Sequence, residues 1–450
     1  MPIAVLDSEL SRSTTPFLSR AYMTRLRQRV EQMLPKGRLW RGVLTLSSGT
    51  ALGQILVLAV SPLLTRLFTP MDFGILAVFT ALVTIIGRLM VLAYSGAIQI
   101  CRNEEEAAAT VVLCFWITAA MTLICVLIFL FWGPEFSRLV GLDGGTPVLW
   151  TLVVALMLWG LSQPLANWSM QRREFTLNAT NRIYEFGSRS ASQLAFGFTS
   201  LGGLGLSIGY TFGYLVRLAH FFLRLRPEHW RSLREVKAPA VVAMAREHWR
   251  FPLLFCPSLL LGTACQFFPS ILVAVLYDAT AAGWFGLGQR MFGLPMRLLS
   301  ETVSNVYLTE IAQAPPERIE LLFRKTTIRF ALMAGVGVLP ILLFGGPLFA
   351  IAFGQAWYTA GTITQILIPS FVARFVVGPV VQTLNVLRRQ DLHLFSALLE
   401  GVAMLLSFAA GWFFQLSLLS TMCLYSGGST LANLVYLWLI RHVIQTNLRR

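Results

Sequence analysis

Twelve stretches of this chain each approach the ~20 predominantly apolar residues that cross a bilayer's hydrocarbon core. They fall at 42–67, 73–97, 107–132, 147–168, 181–201, 204–223, 252–276, 282–308, 327–353, 361–387, 392–414 and 418–440. A backbone in lipid has to satisfy its own hydrogen bonds, so segments of this kind predict transmembrane α-helices. The expected fold class is an all-α polytopic membrane protein of about twelve helices in two six-helix lobes. A mean hydropathy of +0.66, with only 13% of residues charged, excludes an ordinary soluble domain.

The cations fall into two groups. Of the 36 Lys and Arg residues, 27 lie in the N-terminal tail, in every second gap and at the C-terminal end. Only 2, Arg66 and Arg138, lie in the other gaps, and 7 lie inside apolar stretches. The positive-inside rule then puts both termini in the cytoplasm. The net charge of +15 is spread over short turns and forms no single basic face, so the expected contact is with membrane lipid and not with nucleic acid. The first 41 residues are polar and Arg-rich, too long for the n-region of a signal peptide, so the first apolar stretch is expected to remain as an anchor. Within them, Arg20–Leu34 reads as a short basic amphipathic helix on the membrane surface, or as a solvated tail.

The widest cytoplasmic gap, near Arg224–Phe251, divides the chain. The expected organisation is a tail at 1–41, a lobe at 42–225, a linker at 226–251 and a second lobe at 252–450. Leu67-Phe-Thr-Pro-Met-Asp-Phe-Gly74 matches Leu276-Tyr-Asp-Ala-Thr-Ala-Ala-Gly283 at an offset of 209 positions, which also pairs Arg88 with Arg297. Six spans return the chain to the same side, so the repeat is parallel, a construction that sets a substrate path between two halves.

The seven cations inside the stretches are Arg88, Arg182, Arg189, Arg217, Arg290, Arg297 and Arg374. Ionised groups there are expensive and call for a function or a partner. At 1.5 Å per residue, Arg88 and Arg297 lie ~24 Å and Arg290 ~12 Å from the outer ends of their helices. Arg290 and Arg297, seven residues apart, are expected on one helical face. Arginines in a wet cavity bind phosphate or diphosphate through a planar fork of donors. Plainer roles stand beside that one. Arg182, Glu185 and Arg189, like Arg297 and Glu301, have intrahelical ion-pair spacings. Arg182 and Arg217 could snorkel to the headgroups. Glu185 and Glu301 are either ion-coupling acids or partners of these arginines. Gln54, Gln193, Gln266, Gln289, Asn305, Gln382 and Asn385 either bind helices together or line a polar path. Prolines at 62, 257, 295, 340, 369 and 379 predict kinks.

Signs of catalysis are poor. The longest outer gap, Gly133–Thr146, holds only Glu135 and Asp143 as acids, and the Glu104–Glu106 run reads as a solvated turn. The six cysteines form no CxxC pair and the histidines lack ligand spacing, so neither a metal site, a cofactor nor a disulfide framework is expected. The chain reads as a non-enzyme.

Several motifs together resemble a known family. Ser48-Gly-Thr-Ala-Leu-Gly-Gln54 and Ser61-Pro-Leu-Leu-Thr-Arg-Leu-Phe-Thr-Pro-Met-Asp-Phe-Gly74 are similar to the opening of Wzx-type polysaccharide flippases, in the polysaccharide transporter branch of the MOP superfamily. Further matches are Phe251-Pro252, Ala282-Gly-Trp-Phe-Gly-Leu-Gly-Gln-Arg290, Gly293-Leu-Pro295, Phe353-Gly-Gln-Ala-Trp357 and Asn385-Val-Leu-Arg-Arg-Gln390. The resemblance implies two six-helix lobes, alternating access and location in the bacterial inner membrane. It also implies an undecaprenyl-diphosphate-linked oligosaccharide as substrate, and leaves room for contacts with other polysaccharide-assembly membrane proteins. Arg88, Arg290 and Arg297, then Arg374 and Arg189, would hold the diphosphate. Asp278 departs from the family pattern, which often has Gly there. The first span carries no cation, unlike lipid II flippases of the superfamily. The rival readings are a cation-coupled small-molecule exporter of the same superfamily and a membrane-bound polysaccharide polymerase or ligase.

Overall fold

The structure is a computed structural model. It describes residues 38–142, 145–387, 389 and 391–448, without the side chains of 38–48, 294, 297, 298, 301, 302, 305, 306, 309, 316, 317, 447 and 448. The expected surface helix Arg20–Leu34 therefore lies outside the described residues. So do Arg388 and the side chains of Arg297, Glu301 and Asn305.

Helices build the whole of the described chain, with no strand among the described residues. The first six long helices are α1 (Arg38–Leu67), α2 (Pro70–Met90), α3 (Glu104–Leu139), α4 (Gly145–Gln171), α5 (Phe175–Phe196) and α6 (Gly202–Arg224). Two short helices, Pro227–Arg234 and Ala238–Glu247, form the linker. Then come α7 (Cys256–Leu276), α8 (Ala279–Gly288 and Leu294–Ala312, joined by a π-helical turn at Gln289–Gly293) and α9 (Pro316–Phe353). The chain ends with α10 (Tyr358–Val380), α11 (Asp391–Phe413) and α12 (Leu418–Leu448).

Nine of these helices are long and apolar enough to cross a membrane; the other three, α5, α6 and α8, reach the length but not the apolarity. The polar faces of α5 and α6 turn into the protein, where Glu185, Arg189, Gln193 and Arg217 are buried. Over their apolar spans α2, α4 and α10 are 61%, 61% and 67% buried, whereas α3, α7 and α11 are each 22% buried. The first set is packed at the centre and the second faces outward. Exposed Leu332, Val336, Leu339 and Leu343 recur at helical spacing along α9, the apolar face a bilayer would cover.

Several local expectations are corrected. The Glu104–Glu106 run is the first turn of α3, where Asn103 caps the helix and three acids meet the positive end of its dipole. The stretch expected as a loop after Gly133 continues helical to Leu139. Backbone breaks occur at Trp132 and Phe344, just ahead of Pro134 and Pro347, where a proline ring blocks the preceding turn.

α1, α2, α4, α5 and α6 pack on one another, as do α7, α8, α10, α11 and α12, and the two groups meet where α2 crosses α7 and α8. The crossing follows the 209-residue offset. A Cβ at Gly74 would stand 1.7 Å from the Ala279 carbonyl oxygen, and one at Gly283 would stand 1.8 Å from that of Pro70. Gly286 faces Ala77, again its equivalent. The offset also pairs Thr69 with Asp278, and each caps its helix: Asp72 N donates to Thr69 Oγ1 (3.3 Å) and Ala281 N to Asp278 Oδ1 (2.6 Å). Asp278 is thus a cap conserved in role between the halves, which explains its departure from glycine. Trp357 reinforces this end. Its Nε1 donates to the Thr65 carbonyl (3.1 Å) and its ring meets Phe73 edge-on at 4.9 Å.

Candidate functional site

Between the two halves lies a cavity of about 750 Å³, within the range of roughly 300–1,000 Å³ typical of ligand sites. Its walls come from α1, α2, α4, α5, α6, α7, α8 and α10. α5 supplies a polar stripe at helical spacing, formed by Arg182, Glu185, Arg189 and Gln193. Gln54, Gln266, Gln289 and Gln382 also line it, so five of the glutamines singled out in the sequence face one space. Asn385 does not. Its Nδ2 donates to Gln382 Oε1 (2.6 Å), and it holds the turn after α10, where Arg389 also grips Asp391 (Nη2–Oδ2 2.9 Å).

Of the seven predicted cations, Arg88, Arg182, Arg189, Arg290 and Arg374 reach the cavity wall. Glu185 is the carboxylate that lines it among the described residues. The α5 acid is shared three ways: Arg182 Nη1 at 3.1 Å, Arg189 Nη2 at 2.9 Å and Arg217 Nη1 at 3.5 Å. Arg217 is only 2% exposed and donates to Gln163 Oε1 at 3.2 Å. Arg182 and Arg217 therefore turn inward to Glu185, and neither snorkels, because a buried anion offers a closer partner than the headgroups. Arg189 also lies over the Tyr210 ring, 3.7 Å from its centroid, a cation–π contact.

α6 reaches α5 through glycine. Gly205, Gly209 and Gly213 form a Gly-x-x-x-Gly ridge, and a Cβ on Gly209 would stand 2.7 Å from Gln193 Cγ. This close approach brings Tyr210 and Tyr214 beside Arg189. The ridge was visible in the sequence, and it marks these two missed tyrosines. Trp159 of α4, another unexpected wall residue, had no such signal.

Arg374 is paired on its own side. It binds Glu400 of α11, and its Nη2 donates to Tyr425 Oη (3.1 Å) and Ser429 Oγ (3.1 Å) of α12. Arg290 differs from both groups. It sits in the π turn of α8, and among the described residues no carboxylate comes within 4 Å of it. Its Nη2 has one carbonyl contact, Val57 of α1 at 3.5 Å, and its buried Nε has no partner. The π turn adds a residue to the helical turn, so the seven residues from Arg290 to Arg297 no longer make two α-helical turns. The single-face expectation for that pair involves the Arg297 side chain, which lies outside the described residues.

The arrangement of helices is found in solved structures. A lipid II flippase MurJ, in an inward closed conformation, superposes with a TM-score of 0.69 at 12% identity, covering 88% of this chain and 87% of that one. An inward-facing multidrug resistance MATE family transporter of the MOP superfamily gives 0.62 at 14%, covering 89% and 94%. The eukaryotic MATE transporter AtDTX14 gives 0.55 at 14%, covering 94% and 98%. At such identities the likeness establishes the fold, an all-α fold of two lobes. No curated protein sequence matches the chain significantly. A family model described as polysaccharide biosynthesis protein matches residues 63–362, which include α2, the polar α5 and α6, and the π turn that carries Arg290. With two thirds of its length matched, most of the cavity wall included, the chain belongs to the polysaccharide biosynthesis protein family.

Proposed function

We propose that this protein is a flippase that moves a polyprenyl-diphosphate-linked oligosaccharide from the cytoplasmic to the periplasmic leaflet of a bacterial inner membrane. The observation that carries the reading is the charge of the central cavity: among the described residues five arginines and one carboxylate line it, and no acid among them comes within ion-pair distance of Arg290. A desolvated guanidinium is costly to keep unless something anionic meets it during function. A diphosphate meets that need, with paired acceptors for a planar fork. Arg290 is the primary diphosphate ligand in this reading. Arg189 and Arg88 share the cavity with it, and Glu185 holds the α5 arginines in place. Arg374, already satisfied by Glu400, has a supporting part. In this reading the chain is divided into a tail at 1–41, a lobe at 42–225, a linker at 226–251 and a lobe at 252–450, with both termini cytoplasmic. The reaction breaks no bond, so the protein needs no catalytic group of its own.

A cation exporter would need an acid free to take the cation, whereas three guanidiniums occupy Glu185, the carboxylate that lines this cavity among the described residues. The test is Arg290→Gln in correctly inserted protein, followed by delivery of lipid-linked sugar to the outer leaflet. Loss of charge-assisted hydrogen bonds worth about 1.5–3 kcal/mol would weaken binding roughly 10- to 100-fold, and delivery would fall accordingly. Delivery at the normal rate would remove the basis of the assignment.

A further inference from the structure

A second hollow, also of about 750 Å³, opens toward the linker between the end of α2, α4 and the start of α7. Arg88 and Trp159 line both hollows, so the two spaces adjoin at these side chains. Trp159, Gln163 and Asn167 recur every four residues along α4, and all three line this vestibule. Gln99, from the turn after α2, joins them: its Nε2 donates to Asn167 Oδ1 at 3.2 Å, and Asn167 Nδ2 donates to the Ser95 carbonyl at 2.8 Å. Gln163 Oε1 accepts from Arg217, which leaves its amide NH₂ without a protein partner among the described residues. The opposite wall is apolar, with Phe251, Leu254 and Phe255 from the π-helical turn Phe251–Phe255 that leads into α7. No Asp or Glu lines the hollow among the described residues.

Amides set in a row beside an indole are a poor surface for a hydrocarbon chain and a good one for a sugar. Each amide presents a donor and an acceptor side by side, as neighbouring hydroxyls require, and the indole offers an apolar face to the ring's C–H groups. An apolar wall facing that stripe suits the junction of a glycan with a lipid. We propose that this vestibule is a glycan-binding subsite in which Trp159, Gln163, Asn167 and Gln99 hold the first sugars while the diphosphate lies in the central cavity. The proposal rests on the flippase reading and adds where the sugar is sensed.

The test uses the full chain in lipid nanodiscs and three probes: undecaprenol, bare undecaprenyl diphosphate, and the glycan-bearing diphosphate lipid extracted from cells depleted of the protein. The double variant Gln99→Ala with Gln163→Ala is expected to bind the glycan-bearing lipid about tenfold more weakly, and the bare diphosphate lipid as the parent does. Unchanged binding of the bare lipid also reports that the variant is folded. Equal weakening toward both diphosphate lipids, or no weakening toward either, overturns the glycan subsite. The flippase reading then still stands, provided Arg290→Gln weakens both. A parent protein that binds neither diphosphate lipid better than undecaprenol overturns the flippase reading, and the subsite with it.

Discussion

Three guanidiniums share the two oxygens of Glu185, and two of those cations, Arg189 and Arg217, are almost wholly buried. Removing the shared anion leaves both uncompensated, a situation that costs more than the ion pair contributes when intact. Glu185→Gln is therefore expected to lower stability by about 3 kcal/mol, read as a drop in the unfolding temperature of the detergent-solubilised protein. Arg182→Gln should cost less than about 1 kcal/mol, because that side chain remains 36% exposed and solvent screens its pairing. An unfolding temperature that ignores the loss of Glu185 would contradict this picture. The Arg182–Glu185–Arg189 cluster was legible in the sequence because its partners sit three and four residues apart on one helix. Arg217 and Glu400 were not, since each meets its partner from a different helix and no spacing rule spans that distance. Only burial and geometry separate Arg290, which meets no acid among the described residues, from Arg374, which meets one.

At the level of elements, periodicity found the helices but not their irregularities. The twelve apolar stretches correspond to twelve long helices, with ends displaced by several residues where capping and helix dipoles decide, as at Asn103. The π turn at Gln289–Gly293 had no such signature, because an extra residue in a turn is accommodated by packing and leaves the apolar pattern nearly unchanged. The linker shows how a short polar helix is held. His229, 8% exposed, meets the Trp168 ring edge-on at 5.5 Å and lies 3.8 Å from Glu104, while Arg172 lies over the other part of the same contact, 4.1 Å from the Trp168 centroid. Burial pushes the His229 imidazole below its ordinary value of about 6.5, and the Arg172 charge adds to that shift. Above pH ~6.5 the ring is neutral whether docked or free, so docking is at full strength. As pH falls below that value the free ring takes its proton before the docked one, and docking weakens. Protection from hydrogen exchange across Pro227–Arg234, taken relative to the intrinsic exchange rate at each pH, is expected to fall as pH drops below about 6.5, and His229→Gln should flatten that dependence. Protection that is equally pH-independent in both proteins would dismiss His229 as the cause.

Across the whole molecule, the reciprocal approach of Gly74 to Ala279 and of Gly283 to Pro70 makes the two halves meet as equivalents. The repeat was faintly legible because both halves begin their second helix with a cap followed by a small residue. Its meaning was not, since only the fold shows that these two helices cross each other. The crossing, with Trp357 against Thr65 and Phe73, lies at the end of the cavity remote from the linker, where it would act as a seal. In a two-state transporter such a seal must part for substrate to leave outward, so its strength sets the balance between states. A larger side chain at the crossing should shift that balance toward the open outer end. In Gly283→Val the new atoms collide with the Pro70 carbonyl, and backbone, unlike a flexible side chain, has little room to move aside. A reporter cysteine placed by Thr80→Cys lines the cavity and can be labelled from outside with a membrane-impermeant maleimide. Relative to the same reporter without the valine, labelling should rise about tenfold, a shift of roughly 1.4 kcal/mol between the two states. The variant should remain monodisperse while its delivery of lipid-linked sugar falls, because an outer end that cannot close interrupts the cycle. Unchanged labelling in folded Gly283→Val protein would show that the glycine crossing is a packing contact and that the seal lies elsewhere.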